Sequence, residues 1–170
     1  MVKEYPRGSG ATFNDDKSRR YQLWRVWDDE KPLSLVIGLN PSTANESEND
    51  PTIETVIAIH KHNGYGGIIM MNLFSFISTN PKRLPRKTTI QEAIRNYRAI
   101  SLVKSSCASI VFAWGNFKQA KGRVAKDIIK NYGGEALCLY QLKDGSPRHF
   151  LYSKYNSELK YFDPGKVIFR

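Results

Sequence analysis

Little in this chain could build a disulfide framework or a metal cage: 170 residues contain two cysteines, Cys107 and Cys138, and three histidines. One thiol falls near a predicted helix end and the other inside an apolar run, so both read as small buried hydrophobes rather than as crosslinks or ligands. His60-x-His62 followed by Asn63 has no third ligand in view, and no metal is expected. No run approaches the roughly 20 apolar residues of a membrane span. Met1 to Gly10 lacks the apolar stretch of a secretory signal, so a cytoplasmic protein with no membrane partner is the expectation. A phosphate-binding loop is also missing, because no glycine-rich stretch ends in Lys-Ser/Thr. No Ser-His-Asp arrangement is recognisable, and Asp144 with Gly145 reads as turn chemistry. Repeats, low-complexity segments and linkers are absent, and the length suits one domain over residues 1–170 with a single core. A monomer without a cofactor is expected.

Positive charge, by contrast, is plentiful. Lys and Arg number 26 against 16 Asp and Glu, a formal net charge of +10. That excess concentrates anions near the surface and makes nucleic acid the leading partner class, the alternative being a basic protein with no such partner. Lys118, Lys121, Arg123, Lys126 and Lys130 on a predicted helix, and Lys82, Arg83, Arg86 and Lys87 in a loop, are candidates for phosphate contacts or simply a solvated face.

Four short apolar runs punctuate the chain: Ser34–Leu39, Gly67–Leu73, Ser109–Gly115 and Ala136–Tyr140. Runs that are apolar at successive positions suit strands buried on both faces of a parallel sheet. Three helical patterns lie between them. The first has Asp50 as cap, Pro51 at its opening and Gly64 as its stop. The second starts at the capping box Thr89-Ile90-Gln91-Glu92, and the third spans roughly Phe117 to Tyr132. Ala11-Thr12-Phe13 and Tyr21–Trp27 flank a polar turn, the pattern of an N-terminal β-hairpin. The fold expected is therefore α/β in three layers, an open and mostly parallel central sheet with helices on both faces, plus that hairpin. Ligands of such folds bind outside the carboxyl ends of the strands, where Asn40, Asn72 and Trp114 fall.

Gly38-Leu39-Asn40-Pro41-Ser42 combines a glycine that permits close approach, a proline that stiffens the turn and an amide that can orient water or a ligand edge. A plain strand-to-loop turn capped by Asn and Ser is the competing reading. Asn72 ends an apolar run, where an unpaired buried amide costs about 1–3 kcal/mol. It either bonds backbone or is held open for a ligand, and a carboxamide presents the donor and acceptor that a nucleobase edge requires.

Gly38–Ala44, Asp50-Pro51-Thr52-Ile53, Gly64–Gly67, Met71-Asn72-Leu73-Phe74, Ala113-Trp114-Gly115 and Lys143–His149 together resemble an uncharacterised bacterial and phage domain family. That family is in turn similar to the uracil-DNA glycosylase-like superfamily. The resemblance implies that Asn40, in Gly38-Leu39-Asn40-Pro41, positions the attacking water and that Asn72 reads the flipped base. Gly38, Leu39, Phe74 and Trp114 would complete the base-binding set. Ser146-Pro147-Arg148-His149 looks like the superfamily's final loop, in which a histidine stabilises charge on the departing base. Here Ser146 stands where that histidine precedes the proline, so His149 takes the role only with a shift of the loop. Pro41, Ser42, Ser146, Pro147, Arg148 and Lys118 would face the nucleic-acid backbone. Ser42 also replaces an aromatic of the uracil enzymes, and Phe74 or Tyr65 is the candidate substitute for their base-stacking ring.

The reading reached is a glycosylase-like protein acting on a flipped base of single- or double-stranded DNA, with Asn40 and His149 as its catalytic residues. Two rivals stand beside it. One is a module that binds a nucleobase or nucleotide without cleaving it; the other binds nucleic acid non-specifically through its basic face.

Overall fold

The computed structural model describes Tyr5, residues 7–84 and residues 89–169. Arg86 and Lys87 of the basic loop lie outside the described residues.

Strands β3 (Leu33–Gly38), β4 (Gly67–Asn72) and β5 (Ser109–Phe112) form a parallel core, with β3 in the middle. Their Leu, Val, Ile and Met side chains alternate between two buried faces, which is why the sequence shows no polar alternation there. Short β6 (Leu137–Cys138) extends the parallel set, and β7 (Lys160–Tyr161) closes that edge antiparallel. At the other edge β1 (Gly8–Phe13) and β2 (Arg20–Val26) form the hairpin, and β2 pairs antiparallel with β4.

The order β1-β2-β4-β3-β5-β6-β7 corrects the expected mostly parallel sheet. The hairpin belongs to the sheet, and the parallel core is flanked by antiparallel edges. A parallel return needs a crossover of a dozen residues or more, and the segment of residues 27–32 between β2 and β3 is too short for one.

On one face, Ile53, Val56 and Ile59 of α1 (Pro51–His62) pack with Val36, Ile68, Met70 and Val111. On the other, Ile100 and Val103 of α2 (Ile90–Lys104) and Ala125, Ile128 and Ile129 of α3 (Arg123–Tyr132) pack with Leu35, Ile37, Ile69, Met71, Ile110 and Phe112. Asp50 caps α1 by accepting from the Ile53 amide, and the helix ends in paired bonds from Gly64 to Lys61 and from Tyr65 to His60. The capping box of α2 is present between Thr89 and Glu92.

The third helix is shorter than its sequence pattern. A 3-10 turn over Lys118–Lys121 precedes Gly122, whose extended backbone restarts the chain as α3. Both cysteines are buried, and burial pushes their thiols up to about 12 at Cys107 and about 11 at Cys138, so they stay protonated and inert.

Candidate functional site at the strand ends

The register that aligns Gly38 of β3 with Asn72 of β4 sets these residues side by side at the carboxyl ends of their strands. The loops leaving the two strands then run together, joined by amide bonds from Leu73 to Gly38, Phe74 to Leu39 and Ser78 to Pro41. Beyond β5, Gly115 adopts φ +73° and its amide bonds the Pro147 carbonyl. That bond, with Arg148 on Tyr140 and the Gln141–Pro147 bridge, folds the chain back after β6 and returns Arg148 and His149 to the same edge. The fourth apolar run therefore yields only a two-residue strand before it turns.

Between these loops lies a cavity of about 430 Å³. Gly38, Leu39, Asn40, Ser42, Asn72, Arg148 and His149 line it, together with Arg20, Asp50, Met70 and Tyr152. Its size falls within the range of about 300–1,000 Å³ usual for small-ligand sites.

Asn72 is 3% exposed, and neither its Oδ1 nor its Nδ2 has a hydrogen-bond partner. Its backbone is pinned, because Asn96 of α2 donates from Nδ2 to the carbonyls of Asn72 and Leu73. The carboxamide thus keeps its donor and acceptor unspent on a fixed backbone. Gly38 makes room for it: a Cβ there would lie 2.7 Å from Asn72 Oδ1 and 2.6 Å from Met70 Cε.

Asn40 is differently placed. Its Nδ2 donates to the carbonyls of Pro41 and Ser78, so what the side chain can still offer is Oδ1, an acceptor. His149 accepts the Leu151 amide on Nδ1, which leaves the neutral ring's proton on Nε2 as a donor. Burial, and then the neighbouring Arg148 guanidinium, pull its pKa below the ordinary value, with Asp50 opposing. The ring is therefore held neutral near pH 7.

Other expected site residues sit elsewhere. Trp114 is 1% exposed and packs its ring on Phe112 at 4.5 Å, so it is part of the core. Phe74 packs against the same core, and Tyr65 lies tilted against His60; neither lines the cavity. Pro41 and Pro147 are buried and contribute carbonyls to the loop bonds. Ser146 is buried and accepts from Lys121 Nζ at 2.9 Å, beside the ion pair of Lys121 with Asp144. It is a loop anchor, and His149 occupies the cavity in its stead. Lys118 is exposed on the 3-10 turn. The basic stretch of residues 118–130 is partly neutralised by the ion pairs of Lys121 with Asp144 and Arg123 with Asp127, while Lys126 lies over the Phe169 ring.

Lining residues beyond the expected set include Arg20, Asp50 and Tyr152. Arg20 opens β2 and reaches the cavity because residues 18–20 bond to the 75–77 loop. Asp50, read only as a cap, is the one carboxylate among the described lining residues. Tyr152 is 89% exposed at the cavity with φ +63°, a left-handed backbone that costs about 1–3 kcal/mol outside glycine. Neighbouring residues do not mark Arg20 or Tyr152, and they mark Asp50 only by its capping chemistry and the Asp50-Pro51-Thr52-Ile53 motif. Among the described residues no group of three or more His, Cys, Asp or Glu converges as a metal site, and no helix is long and apolar enough to cross a membrane.

Fold and cavity together define an α/β protein with a ligand-sized pocket at the carboxyl ends of a parallel core. The family model described as a protein of unknown function, DUF1643, matches residues 20–151, and the chain belongs to that family. The matched span begins at Arg20 and takes in the cavity residues through Leu151. No curated protein and no solved structure matches the chain. None of these comparisons supports a relationship to the uracil-DNA glycosylases.

Proposed function

We propose that this chain is a DNA-glycosylase-like protein whose cavity takes a flipped nucleobase and releases it by hydrolysis of the N-glycosidic bond. The observation that carries this reading is the buried carboxamide of Asn72, unpartnered on both polar atoms, lining one cavity with Asn40 and His149. A base edge would satisfy both atoms of Asn72 at once. Asn40 Oδ1 accepts a hydrogen from water and aims its oxygen at the sugar carbon; an amide is no general base, so the carbon–nitrogen bond breaks well before the carbon–oxygen bond forms. The electron pair leaves with the base, and the Nε2–H of neutral His149 stabilises the charge that develops there. Water finally gives its hydroxyl to the sugar and a proton to the solution, and the base departs.

A second reading, base binding without cleavage, is favoured by the two bonds that tie Asn40 Nδ2 to Pro41 and Ser78. They make Asn40 a credible loop clasp. Release of free base from single- and double-stranded oligonucleotides carrying uracil and modified bases, for wild type and Asn40→Ala, separates the two. Release by wild type that is lost in a variant with unchanged melting supports hydrolysis. No release from any substrate, with base-selective binding retained, leaves the binding module.

A further inference from the structure

The cavity holds more than a base reader. Arg20 is 2% exposed, donates from Nη1 to the Ala44 carbonyl at 2.7 Å, and has no partner for Nε. Arg148 also carries a buried Nε with no partner. Both line the cavity, and among the described residues neither forms an ion pair. Asp50 is the one carboxylate among the described lining residues; its charge already acts on Arg20, and one of its oxygens is engaged by the Ile53 amide. Two guanidiniums against one carboxylate leave the cavity with an excess positive charge and unspent N–H donors. An orphaned buried N–H is costly, and a guanidinium recovers most from an anion whose oxygens can accept several bonds together.

We propose that Arg20 and Arg148 form an anion subsite beside the base-reading end of the cavity, so that the ligand is a nucleotide held by phosphate as well as by base. This rests on the base reading only for the identity of the ligand's other end. A lone base would leave much of the cavity unfilled and the orphaned Nε groups of both arginines unanswered. The phosphate could belong to a free mononucleotide or to a phosphodiester of a DNA strand; the subsite chemistry is the same.

The test compares binding of the four deoxynucleosides, their 5′-monophosphates, inorganic phosphate and short single-stranded oligonucleotides by calorimetric titration. At least one monophosphate is expected to bind about tenfold or more tightly than its nucleoside, with the ratio falling towards one in Arg148→Met. Arg20→Met also breaks the bond to Ala44, so Arg20→Lys is measured beside it; the lysine variant should retain part of the monophosphate advantage. Asn72→Ala should erase choice among bases and leave the phosphate advantage intact. An oligonucleotide that outbinds every monophosphate, with the same loss in Arg148→Met, assigns the phosphate to a strand. Phosphate-dependent binding without base preference would uphold the subsite and refute the base reading. Equal affinity for nucleosides and monophosphates, a ratio unchanged in all the arginine variants, or no binding of any phosphate-bearing ligand overturns the subsite.

Discussion

Replacing Asn72 by leucine should stabilise the protein while destroying its ligand selectivity. Asn and Leu share a branch at Cγ with two terminal atoms, so the change exchanges an amide for methyls at nearly constant shape. Both polar atoms of Asn72 are buried without partners, and a buried group in that state costs about 1–3 kcal/mol. Asn72→Leu removes that cost and adds apolar contact with Met70, which packs nearby in the core. The expected gain is about 1–3 kcal/mol, or about 2–4 °C in Tm for each kcal/mol in a chain of this length. Urea denaturation of the ligand-free protein measures it, and an unchanged m-value verifies that the folded and unfolded states are otherwise comparable. The same variant titrated with nucleotides should show no preference among bases. If Asn72→Leu instead melts below wild type by 1 kcal/mol or more, the amide has partners that support the fold, and its role as an open base reader fails.

Gly38→Ala should act in the opposite sense. Its Cβ would sit 2.7 Å from Asn72 Oδ1 and 2.6 Å from Met70 Cε, overpacking that costs about 1–3 kcal/mol, and it should abolish base selectivity by displacing the carboxamide. Denaturation and ligand titration on one preparation check both effects. His60 is fully buried, donates from Nδ1 to the Val56 carbonyl in its neutral form, and has its pKa lowered by burial from 6.5 to about 4. Because the unfolded chain binds that proton first, stability is complete above pH 6.5 and falls by about 3 kcal/mol as pH drops to about 4. His60→Phe keeps a ring beside Tyr65 and Phe150 and should flatten this slope in a pH series of urea melts. A slope that survives the substitution assigns the acid lability to other groups.

The strands of the parallel core, the caps of α1 and α2 and the hairpin were legible because each is written in adjacent residues. Short uninterrupted apolar runs suit strands covered on both faces, and Asp50-Pro51 and Thr89-Ile90-Gln91-Glu92 carry their cap chemistry within a single turn. Convergence of Gly38, Asn40 and Asn72 was also legible, since carboxyl ends of parallel strands meet at one edge. Residue types alone could not separate Trp114, buried on Phe112, from a base-stacking ring, nor Ser146, tied to Lys121, from a backbone contact.

What the sequence by itself determined is thus the set of locally encoded elements and the edge of the sheet on which polar residues gather. Tertiary structure alone decided the antiparallel pairings of β2 with β4 and of β6 with β7, the recruitment of Arg20 and Asp50 to the cavity, and the choice of His149 over Ser146 within it. The physical reason is the range of the interactions: hydrophobic period and capping act over a turn or a strand, whereas the pairing of β2 with β4 and the bond of Gly115 to Pro147 join segments far apart in the chain. Whether a buried amide or guanidinium is satisfied or left open for a ligand depends on which distant carbonyls those pairings bring within reach.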